Sequence, residues 1–179
     1  MPCIRRVKEE DCKRIHEIYS YYVLNTAISF DLSVPDEKEF KEKTAHISAK
    51  HPYLVIEDEG EIRGYAYADF LKERDAYAHS CEVSIYVDKD YRKKGYGRAL
   101  YEALEKELTE KGLYNLYACI GDPIGEDEYL NNDSEKFHSR MGYKKVGVFS
   151  KCGKKFNHFY NVIWMEKILK EPSDLNDYS

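Results

Sequence analysis

Residues 91–98 read Tyr-Arg-Lys-Lys-Gly-Tyr-Gly-Arg, and their types and spacing are suited to binding an anion. Two glycines in three positions let a ligand approach the backbone, and the first N–H groups of a helix beginning there lack partners within that helix. The three successive cations add attraction but little specificity, because an exposed charge contributes about 1 kcal/mol or less. We therefore expect a phosphate group here. A basic loop that only caps the next helix is the simpler alternative.

Two common nucleotide motifs do not fit this segment. A P-loop requires the pattern GxxxxGK[ST], which the segment lacks. The dinucleotide pattern GxGxxG also fails, because Leu100 stands where its third glycine belongs. The sequence therefore argues against nucleotide cofactors that are bound in these two ways.

The elements around the loop can be predicted from periodicity. Alternation from Cys81 to Val87 predicts a strand on which Glu82 faces away from Val83 and Ile85. Residues 95–111 carry apolar side chains at helical spacing, and Gly112 provides a stop. A further strand is predicted over residues 113–120. Strand, helix and strand together indicate one parallel crossover in a mixed sheet.

The remaining chain predicts further strands and helices without a domain boundary. The expected elements are a strand over Cys3–Val7, helices from Asp11 and from Pro35, a hairpin of Tyr53–Glu57 with Ile62–Phe70, an acidic loop over Asp122–Leu130, a short helix over Ser134–Met141, and closing strands over Tyr143–Phe149 and Lys155–Met165. We expect one α/β domain of the α+β type over residues 1–169 and a loose tail over residues 170–179.

Composition excludes several classes of function. The 179 residues are 42% hydrophobic, enough for one buried core, and 33 acidic against 28 basic residues argue against a nucleic-acid partner. Five scattered cysteines, with no CxxC pair or histidine at ligand spacing, argue against a metal site and a disulfide framework. No apolar run approaches the roughly 18 residues of a membrane helix, and no signal peptide is recognisable. A reducing cytoplasm is the expected compartment.

Arg92-Lys93-Lys94-Gly95-Tyr96-Gly97, behind the strand Val83–Val87, resembles the R/Q-x-x-G-x-G/A acyl-CoA motif of the GNAT acetyltransferases. Over about residues 3–166 the chain is similar to the phosphinothricin acetyltransferase family within that group. The ordered matches include Ile18-Tyr19, Gly64-Tyr65-Ala66-Tyr67, Glu82, Asn131-x-x-Ser134, Phe137-His138, Gly142-Tyr143 and Lys155-Phe156. The resemblance implies a GNAT fold: a mixed, mostly antiparallel sheet of six to seven strands, splayed between the fourth and fifth and flanked by helices.

The resemblance also implies acetyl-CoA as cosubstrate, without a metal, in the gap between the splayed strands. The implied contacts are Ile85, Tyr86 and Val87 along the pantetheine arm, Arg92, Lys93, Lys94, Gly95, Tyr96, Gly97 and Arg98 around the pyrophosphate, and Asn131 with Ser134. For Asn131 and Ser134 an ordinary helix cap is the alternative, and both roles are compatible.

Acetyl transfer to an amine needs a group that accepts the amine proton and one that protonates the departing thiolate. Glu82 matches the family's catalytic glutamate, and His138 matches a histidine that the phosphinothricin group has where many GNAT enzymes have tyrosine. The alternatives are a solvated glutamate on an alternating strand and a core or capping histidine. We leave the direction of proton transfer at His138 open.

The acceptors of the resembling family are small α-amino acids. Lys72, Arg74 and Tyr77 lie where that family brings basic and aromatic side chains to the acceptor, and Phe30 is a candidate pocket wall. A solvated turn with self-paired charges is the alternative for residues 72–75, and a core position is the alternative for Phe30. Cys119 has no supporting constellation for a nucleophile, so we expect a small core residue.

Two departures from the family bear on the choice of acceptor. The acidic loop 122–130 is longer and carries four carboxylates near the expected acceptor mouth, and Asn157, Phe159 and Asn161 replace the usual Gly, Trp and Asp. The leading hypothesis is an acetyl-CoA-dependent N-acetyltransferase of a small-molecule amine, forming a homodimer as the family implies. The alternatives are a polyamine or protein N-terminal acetyltransferase, a non-catalytic acyl-CoA-binding protein and a phosphate-binding structural module.

Overall fold

Seven strands form one mixed sheet in the computed structural model, which describes residues 1–170. They are β1 (Cys3–Arg6), β2 (Tyr53–Asp58), β3 (Glu61–Phe70), β4 (Ser80–Val87), β5 (Asn115–Pro123), β6 (Lys144–Lys155) and β7 (His158–Ile168), in the order β1-β2-β3-β4-β5-β7-β6. Among these seven strands of the described residues, only β4 and β5 are parallel neighbours. The mixed, mostly antiparallel sheet is thereby confirmed. The loose tail was predicted over residues 170–179, and residues 171–179 lie outside the described residues.

Within residues 1–170, four α-helices cover the two faces of the sheet: α1 (Cys12–Asn25), α2 (Glu37–Ser48), α3 (Tyr96–Glu110) and α4 (Asp133–Arg140). On β2, Tyr53 and Val55 pack with α1 and α2, whereas Leu54 and Ile56 pack with α3. Successive strand residues point to opposite faces, so α3 lies on the face opposite α1 and α2. No helix within residues 1–170 has the length and apolar character needed to cross a membrane.

The sheet opens between β4 and β5. These strands pair only from Ser80 with Asn115 to Glu82 with Tyr117. Beyond that point β4 stays paired with β3 as far as Val87, while β5 stays paired with β7 as far as Pro123. The two strands therefore diverge and leave a wedge-shaped cleft, which confirms the predicted splay.

The closing hairpin corrects the predicted strand boundaries. The second strand was expected to begin at Lys155, but β6 includes Lys155 and β7 begins at His158. The turn consists of Phe156 and Asn157, which both have positive φ (51° and 64°), as the tight hairpin turns that match strand twist require. Phenylalanine is unusual at such a position. Stacking of its ring on Tyr129, at 4.2 Å between centroids, accompanies that conformation.

Candidate active site

The cleft between β4 and β5 brings together residues that are distant in the sequence. Ile85 and Tyr86 of β4 line one wall, and Ser134 and His138 of α4 line another. All four were predicted site residues. The unpaired edges of the diverging strands leave room for an extended ligand between them, and the loop before α3 lies at the end of β4.

The loop before α3 has the backbone conformation of an anion site. Lys93 and Gly95 have positive φ (62° and 86°), and Gly95 caps α3 without a side-chain hydrogen bond. The helical hydrogen bonds begin with Ala99 N donating to Gly95 O (3.0 Å), so the N–H groups of residues 96–98 have no partner within the helix. Three successive donors at the positive end of a helix dipole attract a phosphate group.

The side chains of this loop divide between the surface and the core. Arg92 stacks over the Tyr22 ring at 5.0 Å from its centroid, and Lys93, Lys94 and Arg98 are exposed. Tyr96 instead turns into the core, where its hydroxyl donates to Asp58. Tyr96 was one of the predicted cofactor contacts, but only its backbone is available for such a contact.

Gly97 lies where α3 meets α4 and the cleft. A Cβ atom there would stand 3.3 Å from the Phe137 ring and 3.5 Å from Cδ1 of Ile85. These distances leave no room for a branched side chain unless its neighbours move. The second glycine of the motif is therefore required by close packing beside the proposed phosphate site.

Asn131 and Ser134 stand at the start of α4. The Asn131 side chain accepts a hydrogen bond from Asp133 N (2.9 Å), which forms a turn one residue before the N-cap Asn132, and Asn132 itself makes no side-chain capping bond. Ser134 lines the cleft and its carbonyl oxygen bonds His138. The exposed amide of Asn131 has donors left for a ligand, so this local turn is compatible with ligand binding.

Glu82 lies at the apex of the cleft, where β4 and β5 part. It is partly buried and stands directly opposite Asp69 on β3. Burial raises the pKa of Glu82 and the Asp69 charge raises it further, whereas Lys72 and Lys43 oppose that change. A carboxylate with a raised pKa is a stronger base, as its predicted role requires.

His138 is buried and bonded at both ring nitrogens. Its Nδ1 lies 2.8 Å from the Ser134 carbonyl oxygen, which only accepts, so Nδ1 carries the proton. Nε2 of the neutral ring then accepts from the Tyr101 hydroxyl (2.9 Å). Burial lowers the pKa of His138 to about 4, so the imidazole is neutral at neutral pH. The sequence missed Tyr101, whose helical position reads simply as core.

Because His138 is buried and neutral, we expect the free energy of unfolding to fall in acid. Because its folded pKa lies below the unfolded value, the unfolded chain binds a proton below about pH 6.5 that the folded chain refuses until about pH 4. Between pH 7.5 and 4.5 this group should remove about 2 to 3 kcal/mol from the free energy of unfolding. Urea denaturation at stepped pH measures that loss, and His138→Gln should remove this part of it.

His46→Gln is the matched control, because His46 is exposed on α2. It should keep the wild-type dependence of stability on pH. Comparing slopes separates the titration from any constant destabilisation that His138→Gln causes. Parallel wild-type and His138→Gln curves would contradict the assignment of a neutral, buried His138.

The predicted acceptor residues occupy two different environments. Phe30 is a wall between the α1–α2 segment and the closing hairpin: a Cβ on Gly153 would lie 2.4 Å from its ring. Lys72, Arg74 and Tyr77 are exposed between β3 and β4, and only Lys72 acts on the Glu82 carboxylate. Within residues 1–170 neither Lys72 nor Arg74 forms an ion pair, so the charges of this turn are not self-paired there.

A second cavity, which the sequence analysis did not identify, lies between α1, α2 and the same face of the sheet as Glu82. Tyr19, Asp31, Lys43 and Tyr67 line it. Tyr19 donates to Asp31 (2.6 Å), which fixes that carboxylate at the cavity wall. Alternation along β3, which puts Tyr65, Tyr67 and Asp69 on one face, was the available signal.

Two expectations about this region are wrong. Cys119 was expected in the core, but it is exposed in the cleft; partial desolvation and then Glu82 raise the pKa of its thiol to about 11. The acidic loop was expected to begin at Asp122, but β5 continues to Pro123 and Asn161 donates to Asp122 (3.1 Å).

Asp127 is the anchor of the remaining acidic loop. It accepts hydrogen bonds from the Tyr160 hydroxyl and from the backbone N–H groups of Tyr129 and Leu130, and it pairs with His158 at 2.6 Å. Its charge is therefore satisfied within the fold. Asp127 therefore no longer counts among the four carboxylates that were expected to repel an anionic acceptor.

Known proteins resemble this chain over nearly its whole length. A family model described as an acetyltransferase (GNAT) domain matches residues 4–164. A phosphinothricin N-acetyltransferase of Streptomyces coelicolor is 31% identical over 170 residues, which cover 93% of this chain and 95% of that protein. An L-methionine sulfoximine/L-methionine sulfone acetyltransferase of Salmonella typhimurium is 29% identical over 169 residues, 94% of this chain and 95% of that protein.

A solved structure extends the similarity to three dimensions. The crystal structure of a GNAT superfamily phosphinothricin acetyltransferase from Sinorhizobium meliloti, in complex with AcCoA, superimposes with a TM-score of 0.86 at 30% identity. The superposition covers 95% of this chain and 89% of that one.

Proposed function

Because this chain belongs to the GNAT acetyltransferase family, we propose that it transfers the acetyl group of acetyl-CoA to the α-amino group of a small amino acid. That it is an acetyltransferase follows from the family; the cosubstrate, acceptor and residue roles are the proposal. One observation carries it: Glu82 stands where β4 and β5 part, and the positive-φ loop that precedes the N-terminus of α3 lies at the far end of β4.

The residues present fit acetyl-CoA. The N–H groups of residues 96–98, which have no partner within α3, would hold the pyrophosphate, with Lys93, Lys94 and Arg98 as exposed cations around it. The segment Ile85–Val87 would run beside the pantetheine arm along the opened edge of β4. Asn131 and Ser134 would contact the arm from α4. Acetyl-CoA supplies the thioester carbonyl on which the amine acts.

The proton balance assigns a role to each titratable group. Glu82 takes one proton from the acceptor ammonium, which leaves a neutral amine whose nitrogen attacks the thioester carbon. Nε2 of His138 takes the second amine proton and returns it to the sulfur as the C–S bond breaks. Glu82 then gives its proton to solvent. His138 suits this relay because it is neutral at neutral pH, although the Tyr101 hydroxyl must first turn away from Nε2.

The acceptor class is proposed from the relatives and from the cations beside Glu82. Proteins named for phosphinothricin and for methionine sulfoximine are about 30% identical to this chain. Lys72 and Arg74, which form no ion pair within residues 1–170, would supply positive charge for a carboxylate or a second anionic group, and Tyr77 and Phe30 would supply apolar surface. A homodimer also stays a proposal; the exposed Val146 and Val148 of the edge strand β6 are surface that it could bury.

An acceptor panel tests this proposal. Purified protein with acetyl-CoA should release free thiol with L-phosphinothricin, L-methionine sulfoximine and L-methionine sulfone, and much less with spermidine or a short peptide. Turnover of spermidine or the peptide alone would replace the acceptor class with the alternative one. Acetyl-CoA binding without thiol release for any amine would support a non-catalytic acyl-CoA-binding protein.

A further inference from the structure

Asp69 and Glu82 place two carboxylates side by side on the face of the sheet that also borders the second cavity. They are directly opposed residues of the antiparallel strands β3 and β4, so their side chains leave the same face. Asp69 accepts a hydrogen bond from its neighbour Phe70 N (2.8 Å). Within residues 1–170 neither carboxylate forms an ion pair with a cation.

This arrangement is costly unless something positive occupies it. Like charges directly opposed on neighbouring strands destabilise a sheet, and partial burial of Glu82 increases that cost. The groups acting on Glu82 are Asp69 from β3, Lys72 from the β3–β4 segment and Lys43 from α2, while Cys119 on β5 and Tyr67 on β3 respond to its charge. His51 responds to Asp69 from the segment before β2.

The two lysines offset the pair only from a distance. Both are exposed, and neither comes within ion-pair distance of Asp69 or Glu82 in the described part of the chain. A cation that entered between the carboxylates would meet both at close range. The amine of an amino acid in water is an ammonium ion, and it must arrive beside Glu82 for the proposed reaction.

Building on the proposed function, we propose that Asp69 is a positioning residue that receives the acceptor ammonium together with Glu82 and holds it for proton transfer to Glu82. Two neighbouring carboxylates resist carrying two negative charges, so the second one binds a proton more tightly. The negative charge of Asp69 therefore helps Glu82 to keep the proton that it takes from the ammonium. The same charge lowers the free energy of the bound ammonium.

Asp69→Asn tests this role with little change of shape, because an asparagine oxygen can still accept from Phe70 N. The measurement is kcat/KM for L-methionine sulfoximine against pH at saturating acetyl-CoA. Removing the negative charge should move the acid limb to lower pH by about half to one unit and raise KM at least about threefold. Asp69→Glu keeps the charge, so the acid limb of its pH profile and its KM should both lie close to the wild-type values.

Asp75→Asn is the control, since Asp75 is exposed in the same segment and outside the pair. It should keep the wild-type profile. An Asp69→Asn profile that superimposes on the wild type, with unchanged KM, would overturn the proposal.

A measurement without turnover keeps the two proposals distinguishable. In ¹³C NMR of glutamate-labelled protein, the carboxyl signal missing from Glu82→Gln identifies Glu82, and its titration midpoint should be lower in Asp69→Asn. Equal midpoints would overturn the pairing of Asp69 with Glu82. If the Glu82 midpoint is lower in Asp69→Asn than in the wild type but the wild type acetylates no amine, the proposed function is overturned and the pairing of Asp69 with Glu82 stands.

Discussion

Replacing Glu82 with glutamine should lower kcat/KM for the acceptor by at least about 100-fold while leaving the affinity for acetyl-CoA nearly unchanged. Glutamine has almost the same shape but cannot accept the ammonium proton, and a positioned acid or base typically contributes about 10² to 10⁴ in rate. Glu82 lies at the apex of the cleft, because it is the last residue of β4 that pairs with β5. Thiol release gives the rate and calorimetric titration gives the acetyl-CoA affinity.

Glu110→Gln is a matched control, because Glu110 is exposed at the end of α3. It should retain wild-type turnover. A loss smaller than about tenfold for Glu82→Gln, with a true acceptor at saturating acetyl-CoA, would remove Glu82 from the role of base. A large loss that came entirely from weaker acetyl-CoA binding would reassign it to cosubstrate binding.

Replacing Gly97 with valine should weaken acetyl-CoA binding at least tenfold, which corresponds to about 1.4 kcal/mol. The new Cβ would stand 3.3 Å from the Phe137 ring and 3.5 Å from Ile85, before its two branches are counted. Relief of that contact must shift α4, the cleft wall or the first turn of α3, and each of these carries proposed cosubstrate contacts. Calorimetric titration with acetyl-CoA measures the change.

Gly147→Val is the corresponding control, because a Cβ at Gly147 meets no atom within 4 Å and its strand β6 tolerates a branched residue. It should bind acetyl-CoA as the wild type does. Thermal unfolding of both variants shows whether they remain folded. Unchanged affinity in a folded Gly97→Val protein would contradict the placement of the pyrophosphate at this loop.

The order of strands and helices was predictable because it depends on local periodicity. Alternation puts Val83 and Ile85 on one face of their strand, and helical spacing puts Leu100 and Leu104 on one face of their helix. Each pattern lies within its own element, so each element could be identified from its own residues. The strand boundaries at Lys155 and Pro123 were less predictable. Phe156 and Asn157 turn without glycine, and Asn157 alone was too weak a signal to place that hairpin.

The candidate site was only partly predictable because it depends on contacts between distant segments. The motif at residues 92–97 indicated the loop, and Glu82 followed from the resemblance. Tyr101 and Asp69 did not, since a tyrosine on a buried helix face and an acid at the end of a strand have no chemical signature alone. Cross-strand register makes Asp69 a neighbour of Glu82, and the packing of α3 on α4 makes Tyr101 a partner of His138.

The stoichiometry of the reaction shows whether the acetyl group passes from acetyl-CoA to the acceptor amine. L-Methionine sulfoximine and acetyl-CoA are incubated with the protein, and free thiol is counted while the acceptor is followed by mass spectrometry. We expect one free thiol for each acceptor molecule that gains one acetyl group, and fragmentation should place that group on the α-nitrogen. Thiol release without an acetylated acceptor, or an acetyl group carried on the protein itself at the end of the reaction, would contradict direct transfer to the amine in the β4–β5 cleft.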